Sequence, residues 1–281
     1  MVNHDCDKES CSGCSTASTC TSKKKATSLK IAESPFNHVK HVVAVMSGKG
    51  GVGKSTVTAL LASNLAKAEY KVGIMDADIT GPSIPKLFGL TDRPGQNENG
   101  LLPVESSTGI KIMSLNLLLP DETEPVVWRG PLIGSAIKQF WTDVVWGELD
   151  YLVIDLPPGT SDAALTVLQS LPVDGIVMVT TPQELATMIV TKALKMADSM
   201  GIPMLGIVEN MSYTVCPHCG EEIRLFGTSK AEEFADSVGT DLLALLPIDQ
   251  GLASMADGGK IEQYDLPMHK LVSTVTSKLG D

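Results

Sequence analysis

Along most of the chain, short apolar runs end in Gly, Asp or Pro and give way to segments with helical spacing. The runs 42–46 (VVAVM), 72–75 (VGIM), 110–115 (GIKIMS), 151–154 (YLVI), 175–180 (GIVMVT), 204–208 (MLGIV) and 242–246 (LLALL) predict strands. Helices are expected near 54–68, 131–145, 161–170, 183–199, 228–238 and 265–279. Strands that alternate with helices imply right-handed crossovers. They predict an α/β fold with a doubly wound, mainly parallel sheet flanked by helices. Such sheets bind ligands at the carboxyl ends of their strands. No internal repeat is visible.

The first 35 residues break this pattern. They are polar, low in complexity, and carry a Lys23-Lys24-Lys25 run and a closing Pro35. Residues 1–35 are therefore expected to be a flexible, Cys-rich tail and linker, and residues 36–281 a globular domain. Hydrophobic residues make up 43% of the chain, enough for a core that needs no disulfides. The net charge of −11 argues against a nucleic-acid binder and against docking on anionic membrane by bulk charge. No apolar run reaches the ~18 residues of a membrane span, and the N-terminus lacks the apolar stretch of a secretory signal. No nucleic-acid or membrane partner is expected, and the expected address is cytoplasmic.

The chemistry begins after the first strand. Gly48, Lys49, Gly50, Gly51, Val52, Gly53, Lys54, Ser55 and Thr56 fit the phosphate-binding pattern G-x-x-x-x-G-K-[ST], with a strand before it and a helix after it. Its glycines let backbone N–H groups converge on phosphate, and the helix N-terminus adds its dipole. Lys54 is expected to reach the β- and γ-phosphates, and the Ser55 hydroxyl to ligate Mg²⁺. The same letters satisfy G-x-G-x-x-G at Gly48, Gly50 and Gly53, with Asp76 ending the second strand, as in a dinucleotide fold. The Lys54–Ser55 pair decides for a triphosphate, as does Asp155, which closes YLVID where a metal's water shell needs a carboxylate. Asp76 and Asp78, two residues apart at a strand end, can also face a Mg²⁺–nucleotide. Asp155-Leu156-Pro157-Pro158-Gly159 has the rigid, bent character of a segment that reports a γ-phosphate.

Cysteine usage is uneven. Cys6, Cys11, Cys14 and Cys20 lie in the tail, and Cys216 and Cys219 form C-P-H-C in what reads as a loop insertion. In a reducing compartment such spacing points to metal ligation. C-x₂-C is half of a four-thiolate site. The other two ligands come from the tail or from a second chain, and a two-fold dimer would supply four thiolates from two pairs. Four thiolates suit zinc or an iron–sulfur cluster. The motif does not open a helix after the first strand of a βαβ unit, so a thioredoxin-like redox pair is disfavoured.

GKGGVGKST resembles the deviant phosphate loop of the SIMIBI ATPases, in which the extra lysine, here Lys49, reaches across a dimer interface to the other subunit's nucleotide. Together with DADITGPS, WRGP, DLPPGTSD, ENMSY and CPHCG, it resembles the Mrp/ApbC family of iron–sulfur cluster carrier ATPases over residues 36–281. The resemblance implies ATP, Mg²⁺ and one [4Fe–4S] cluster as cofactors. It implies a homodimer that bridges the cluster through Cys216 and Cys219 of both chains and passes it to apo iron–sulfur proteins. By the same resemblance Asp78 orients the attacking water and acts with Lys49 and Lys54 in catalysis, Asp76 supports the metal shell, and Asn210 and Pro247 contact the base. The tail is similar to the cluster-binding segment of eukaryotic cytosolic relatives: the Cys11, Cys14, Cys20 spacing agrees, whereas Cys6 lies closer to Cys11 than the pattern requires. Rival readings are a MinD/ParA-like positioning ATPase, an ATPase with a structural zinc, and an electron donor like the nitrogenase iron protein.

Overall fold

A computed structural model describes residues 30–79, 81, 83–119, 130–183, 188–266 and 268–280. The tail cysteines, Trp128 and Arg129 lie outside them. The chain runs β1 (His38–Ser47), α1 (Lys54–Lys67), β2 (Val72–Asp76), α2 (Ile84–Leu87), β3 (Gly95–Asn97), β4 (Gly100–Leu102), β5 (Val104–Glu105) and β6 (Lys111–Ser114). It continues with α3 (Gly130–Thr142), β7 (Glu148–Asp155), α4 (Asp162–Ser170), β8 (Gly175–Thr180), α5 (Met188–Ser199) and β9 (Met204–Val215). The last elements are β10 (Glu222–Ile223), α6 (Ala231–Ser237), β11 (Leu242–Pro247), α7 (Gln250–Asp257) and α8 (His269–Leu279).

Seven strands pair in parallel in the order β11-β9-β8-β1-β7-β2-β6. The short β5 is antiparallel at one edge, and β10 folds back on the far end of β9. β1 shows why the sheet needs two helical layers. Val42, Ala44 and Met46 pack into a core with α3, α4 and α5, while Val43 and Val45 pack into the opposite core with α1 and α8. Successive side chains of a strand point to opposite faces, so a strand buried on both sides is apolar throughout. The doubly wound fold expected from the sequence is present.

Every strand expected from the apolar runs is found, and β1, β7 and β9 run longer than those runs. The largest difference is at β9, which continues past Val208 to Val215 and turns back into β10, so the loop that carries C-P-H-C is the tip of a hairpin. β3, β4 and β5 were not foreseen because such short segments carry no readable alternation. α7 was also missed, although Asp249 caps it by accepting from the Leu252 N–H at 2.9 Å.

Specific contacts hold the first described residues, the segment after α2 and the last helix. Residues 30–35, assigned to the linker by composition, already touch the domain: Ile31 N–H donates to the Ser170 carbonyl at 2.7 Å, and Trp141 Nε1 donates to the Ile31 carbonyl at 3.1 Å. After α2, the backbone of Gly89 (φ +64°) lies against that of Gly259 (φ +67°), with no room for a Cβ at either position. α8 buries Leu271 and Val275, and its Lys278 donates to the Leu205 carbonyl at 2.9 Å and pairs with Asp241. The apolar face of α8, with Met268, Leu271 and Val275, is thus packed into the core beside α1. Among the described residues no helix is long and apolar enough to cross a membrane.

Candidate functional site

The phosphate loop leaves the central strand β1 between β7 and β8 and ends in α1. Gly51 (φ +82°) and Gly53 (φ +81°) are left-handed, a conformation that costs little only for glycine. Gly53 is also the residue before α1, and a Cβ there would collide with Asn210 Nδ2. The Ser47 hydroxyl donates to the Lys49 carbonyl at 3.0 Å, and Gly159 N–H donates to the Ser47 carbonyl at 2.8 Å, fastening the Pro-Pro-Gly segment to the loop. The resulting cavity of about 320 Å³ is lined by the loop together with Asp78, Gly81, Ser83, Leu87 and Pro158. Hollows of about 480 and 500 Å³ lie elsewhere, so size does not single it out. The convergence of loop amides, a buried lysine and strand-end carboxylates does.

Below the cavity those carboxylates form one cluster. Asp76 and Asp155 are register partners on the adjacent strands β2 and β7, and both are fully buried. Lys54 Nζ lies 2.7 Å from Asp155 Oδ2 and 3.8 Å from Asp78. Asp155 also accepts from the Ser55 hydroxyl at 2.6 Å and the Thr58 hydroxyl at 2.7 Å. Asp76 accepts from the Ser114 hydroxyl at 3.0 Å and the Asp78 N–H at 3.2 Å. Burial, and then the charge of Asp155, push Asp76 up to about 8 against the pull of Lys54 and Ser114. Three carboxylates around one lysine make a cluster short of positive charge, with hydroxyl and carboxylate oxygens as its donors, which fits a hard divalent cation. Among the described residues no three His, Cys, Asp or Glu side chains could cage a metal alone. Mg²⁺ there would be held through Ser55 and the substrate's phosphates, with the aspartates behind.

Of the expected site residues, the structure therefore brings together Lys54, Ser55, Asp76, Asp78 and Asp155. Lys49 is exposed at the rim of the cavity. Asn210 stands behind the loop, where its Nδ2 donates to the Val52 carbonyl at 2.9 Å. Pro247 ends β11 opposite Tyr213 and does not line the cavity. Thr58 and Ser114 were missed. A signal for Thr58 existed, since it lies one helical turn after Lys54. Ser114 has none, because only the β2–β6 register sets it beside Asp76.

Cys216 and Cys219 sit at the tip of the β9–β10 hairpin. Cys216 N–H donates to the Glu221 carbonyl and Gly220 N–H to the Cys216 carbonyl, each at 2.9 Å, and Gly220 turns the chain with φ +75°. Backbone N–H groups of Cys219 and His218, with the Cys219 thiol, hydrogen-bond to the Cys216 sulfur and hold its pKa below the usual thiol value. Amides aimed at a sulfur favour the thiolate, which is the metal-binding form. Both thiols are free, and Val215 and Ile223, on the two strands of the hairpin, are exposed apolar side chains.

A central-strand phosphate loop with a second lysine, strand-end aspartates and two helical layers defines a P-loop NTPase. The family profile described as ParA, NUBPL iron-transfer P-loop NTPase, matches residues 38–279. The iron–sulfur cluster carrier protein of Clostridium perfringens is 43% identical over 276 residues, 95% of each chain. The cytosolic Fe–S cluster assembly factor Nubp2 homolog of Anopheles gambiae is 45% identical over 255 residues, 86% of this chain and 98% of the relative. A nucleotide-binding protein of Archaeoglobus fulgidus, solved in complex with ADP, is 49% identical with a TM-score of 0.75, covering 82% of this chain and 90% of that one. MinD from the MinC:MinD complex of Aquifex aeolicus shares the fold alone, at 19% identity and TM-score 0.58, covering 86% of this chain and 96% of that one. The chain belongs to the iron-transfer P-loop NTPase family.

Gly53→Ala should disable this site. The variant takes on left-handed strain of about 1–3 kcal/mol and pushes Asn210 off the loop. We expect a melting temperature lower by about 3–8 °C and loss of ADP binding, measured by differential scanning calorimetry and titration calorimetry. ADP affinity equal to that of the unmodified chain would show that Asn210 does not brace the loop.

Proposed function

We propose that the chain is a cytoplasmic Mg²⁺-dependent ATPase that carries a labile [4Fe–4S] cluster as cargo and delivers it to apoproteins as a homodimer. Two thiols per chain, at an exposed hairpin tip with backbone amides turned on the Cys216 sulfur, are what support a cluster shared between two copies. The apolar side chains flanking the tip would be covered by the second copy. The four tail cysteines, which lie outside the described residues, are proposed as ligands of a second cluster.

In the ATPase reaction, water oriented by Asp78 attacks the γ-phosphorus as its bond to the β–γ bridging oxygen breaks, and ADP and phosphate leave. Lys54 leaves Asp155 for the phosphate oxygens, and the loop amides stabilise the charge that develops there. Lys49, at the rim, would reach the nucleotide of the second copy. Mg²⁺, when bound, would be held through Ser55 with Asp76 and Asp155 behind it, and would supply positive charge to offset that of the phosphates. Asn210 and Pro247 are proposed to contact the base. Hydrolysis is proposed to drive cluster release, because β9 carries both Asn210 and the hairpin.

The test is the content of iron, acid-labile sulfide and zinc in protein isolated without oxygen. About two iron and two sulfide per chain are expected for one shared four-iron cluster, with any excess assigned to the tail. About half a zinc per chain without sulfide would overturn the carrier reading in favour of a structural staple.

A further inference from the structure

Between Asn210 and Cys216, β9 departs from a regular strand. Its pairing with β11 sets Leu245 opposite Glu209 and Pro247 opposite Tyr213, so four steps on β9 answer two on β11. The surplus is taken up around Met211, which has φ +58°. A left-handed methionine is strained and persists only where its surroundings impose it. The neighbouring residues do this. Ser212, almost fully buried, donates its hydroxyl to the Glu209 carbonyl at 3.0 Å and to Glu209 Oε1 at 2.8 Å. Glu209 is fully buried, and its Oε2 has no hydrogen-bond partner among the described residues.

A buried carboxylate with one orphan oxygen is costly and calls for a reason. Its position supplies one. On the near side of the bulge, Asn210 holds the Val52 carbonyl of the phosphate loop. On the far side, the Tyr213 carbonyl accepts from the Ile248 N–H at 2.6 Å, and three residues later, just past the end of the strand, the chain reaches Cys216. A regular strand transmits a shift along its axis, whereas a bulge held by one half-satisfied carboxylate has a second arrangement within reach.

We propose that Glu209 is a positioning residue whose bond to Ser212 sets the bulge, so that a nucleotide engaging Asn210 repositions Cys216 and Cys219. This rests on the nucleotide site proposed above. The residue touches neither phosphate nor cluster and acts through the backbone that carries both.

The test compares the rate of iodoacetamide labelling at Cys216 and Cys219, resolved by mass spectrometry, in the full-length metal-free chain with and without saturating ADP. In the unmodified chain ADP should change the rate at Cys216 by about fivefold or more, a shift between two populated arrangements. Glu209→Met keeps the length but removes the oxygen that accepts from the Ser212 hydroxyl, and should bring the ratio with and without ADP close to one. Met211→Gly relieves the left-handed strain, favours the bulge as it stands, and should give the same loss with no fall in melting temperature. Its folding keeps the test decisive should Glu209→Met be unstable. A full ADP response in both variants would overturn the proposal. So would an unmodified chain that binds ADP yet labels at the same rate, which leaves the nucleotide site standing. Failure of the unmodified chain to bind ADP in titration calorimetry would overturn the site and the coupling together.

Discussion

Lys54→Ala is expected to lower ATP hydrolysis by about a thousandfold or more, the scale set by removing a fixed charge from a phosphoryl-transfer site. The structure shows what that lysine does before any phosphate arrives. Its ammonium is buried, 2.7 Å from a fully buried aspartate, and it offsets a cluster of three carboxylates. Breaking a buried pair by removing one partner typically costs about 3–5 kcal/mol. Here the loss should be smaller, because Asp155 keeps the Ser55 and Thr58 hydroxyls and Asp76 already sits near pKa 8. The variant should therefore fold, load a cluster at the hairpin almost normally, and fail to donate it. Phosphate release, iron content and cluster transfer to an apo four-iron acceptor measure the three properties. Donation at the unmodified rate would separate hydrolysis from delivery and end the coupled reading.

The second large effect is at the hairpin. If the hairpin holds the proposed cluster, Cys216→Ser and Cys219→Ser, singly, should each cut the iron and sulfide content by at least about tenfold, because a serine oxygen is too hard and too weakly acidic to replace a cluster-ligating thiolate. ADP binding should be unchanged, since neither side chain lines the phosphate cavity or the cores. Cys219 is exposed and Cys216 only half-buried, so stability should hardly move. Iron bound by the tail would complicate the count. The variants are therefore also made with Cys6, Cys11, Cys14 and Cys20 replaced by serine. Full iron retention in that background would place the cluster elsewhere.

The phosphate loop was legible in the sequence because its function is local: consecutive glycines, a lysine and a serine at a strand–helix junction. Asp155 was legible for a related reason, as the polar end of an otherwise apolar strand. The seven parallel strands could be read because double burial makes each a continuous apolar run. What escaped is set by register. The pairing of Asp76 with Asp155 and Ser114 exists only once β2 lies between β7 and β6. Glu262 is a second case. It is nearly buried, yet despite that burial, the Ser107, Thr108 and Ser106 hydroxyls hold its pKa below the usual carboxylate range. Those partners lie more than 150 positions away in sequence. C-P-H-C was read as a ligand pair from its spacing, but its hairpin support was not, because β10 is two residues long. Asn210 fitted a resemblance, whereas the adjacent bulge had no sequence signature, since Met211 looks like any strand residue.

The packing around Asp78 has a consequence for traffic through the site. Ala77 and Ile79 are buried on either side of it, and α2 is anchored a few residues later by Ile84 and by the Gly89–Gly259 backbone contact. Asp78 itself is thus held in place, while Lys49 is exposed at the rim of the cavity, on the side that a second copy would close in the proposed homodimer. In such a dimer, exchange of ADP for ATP would have to wait for the two copies to part. The lifetime of the assembly, and not the chemistry at the γ-phosphate, would then set the pace of each delivery.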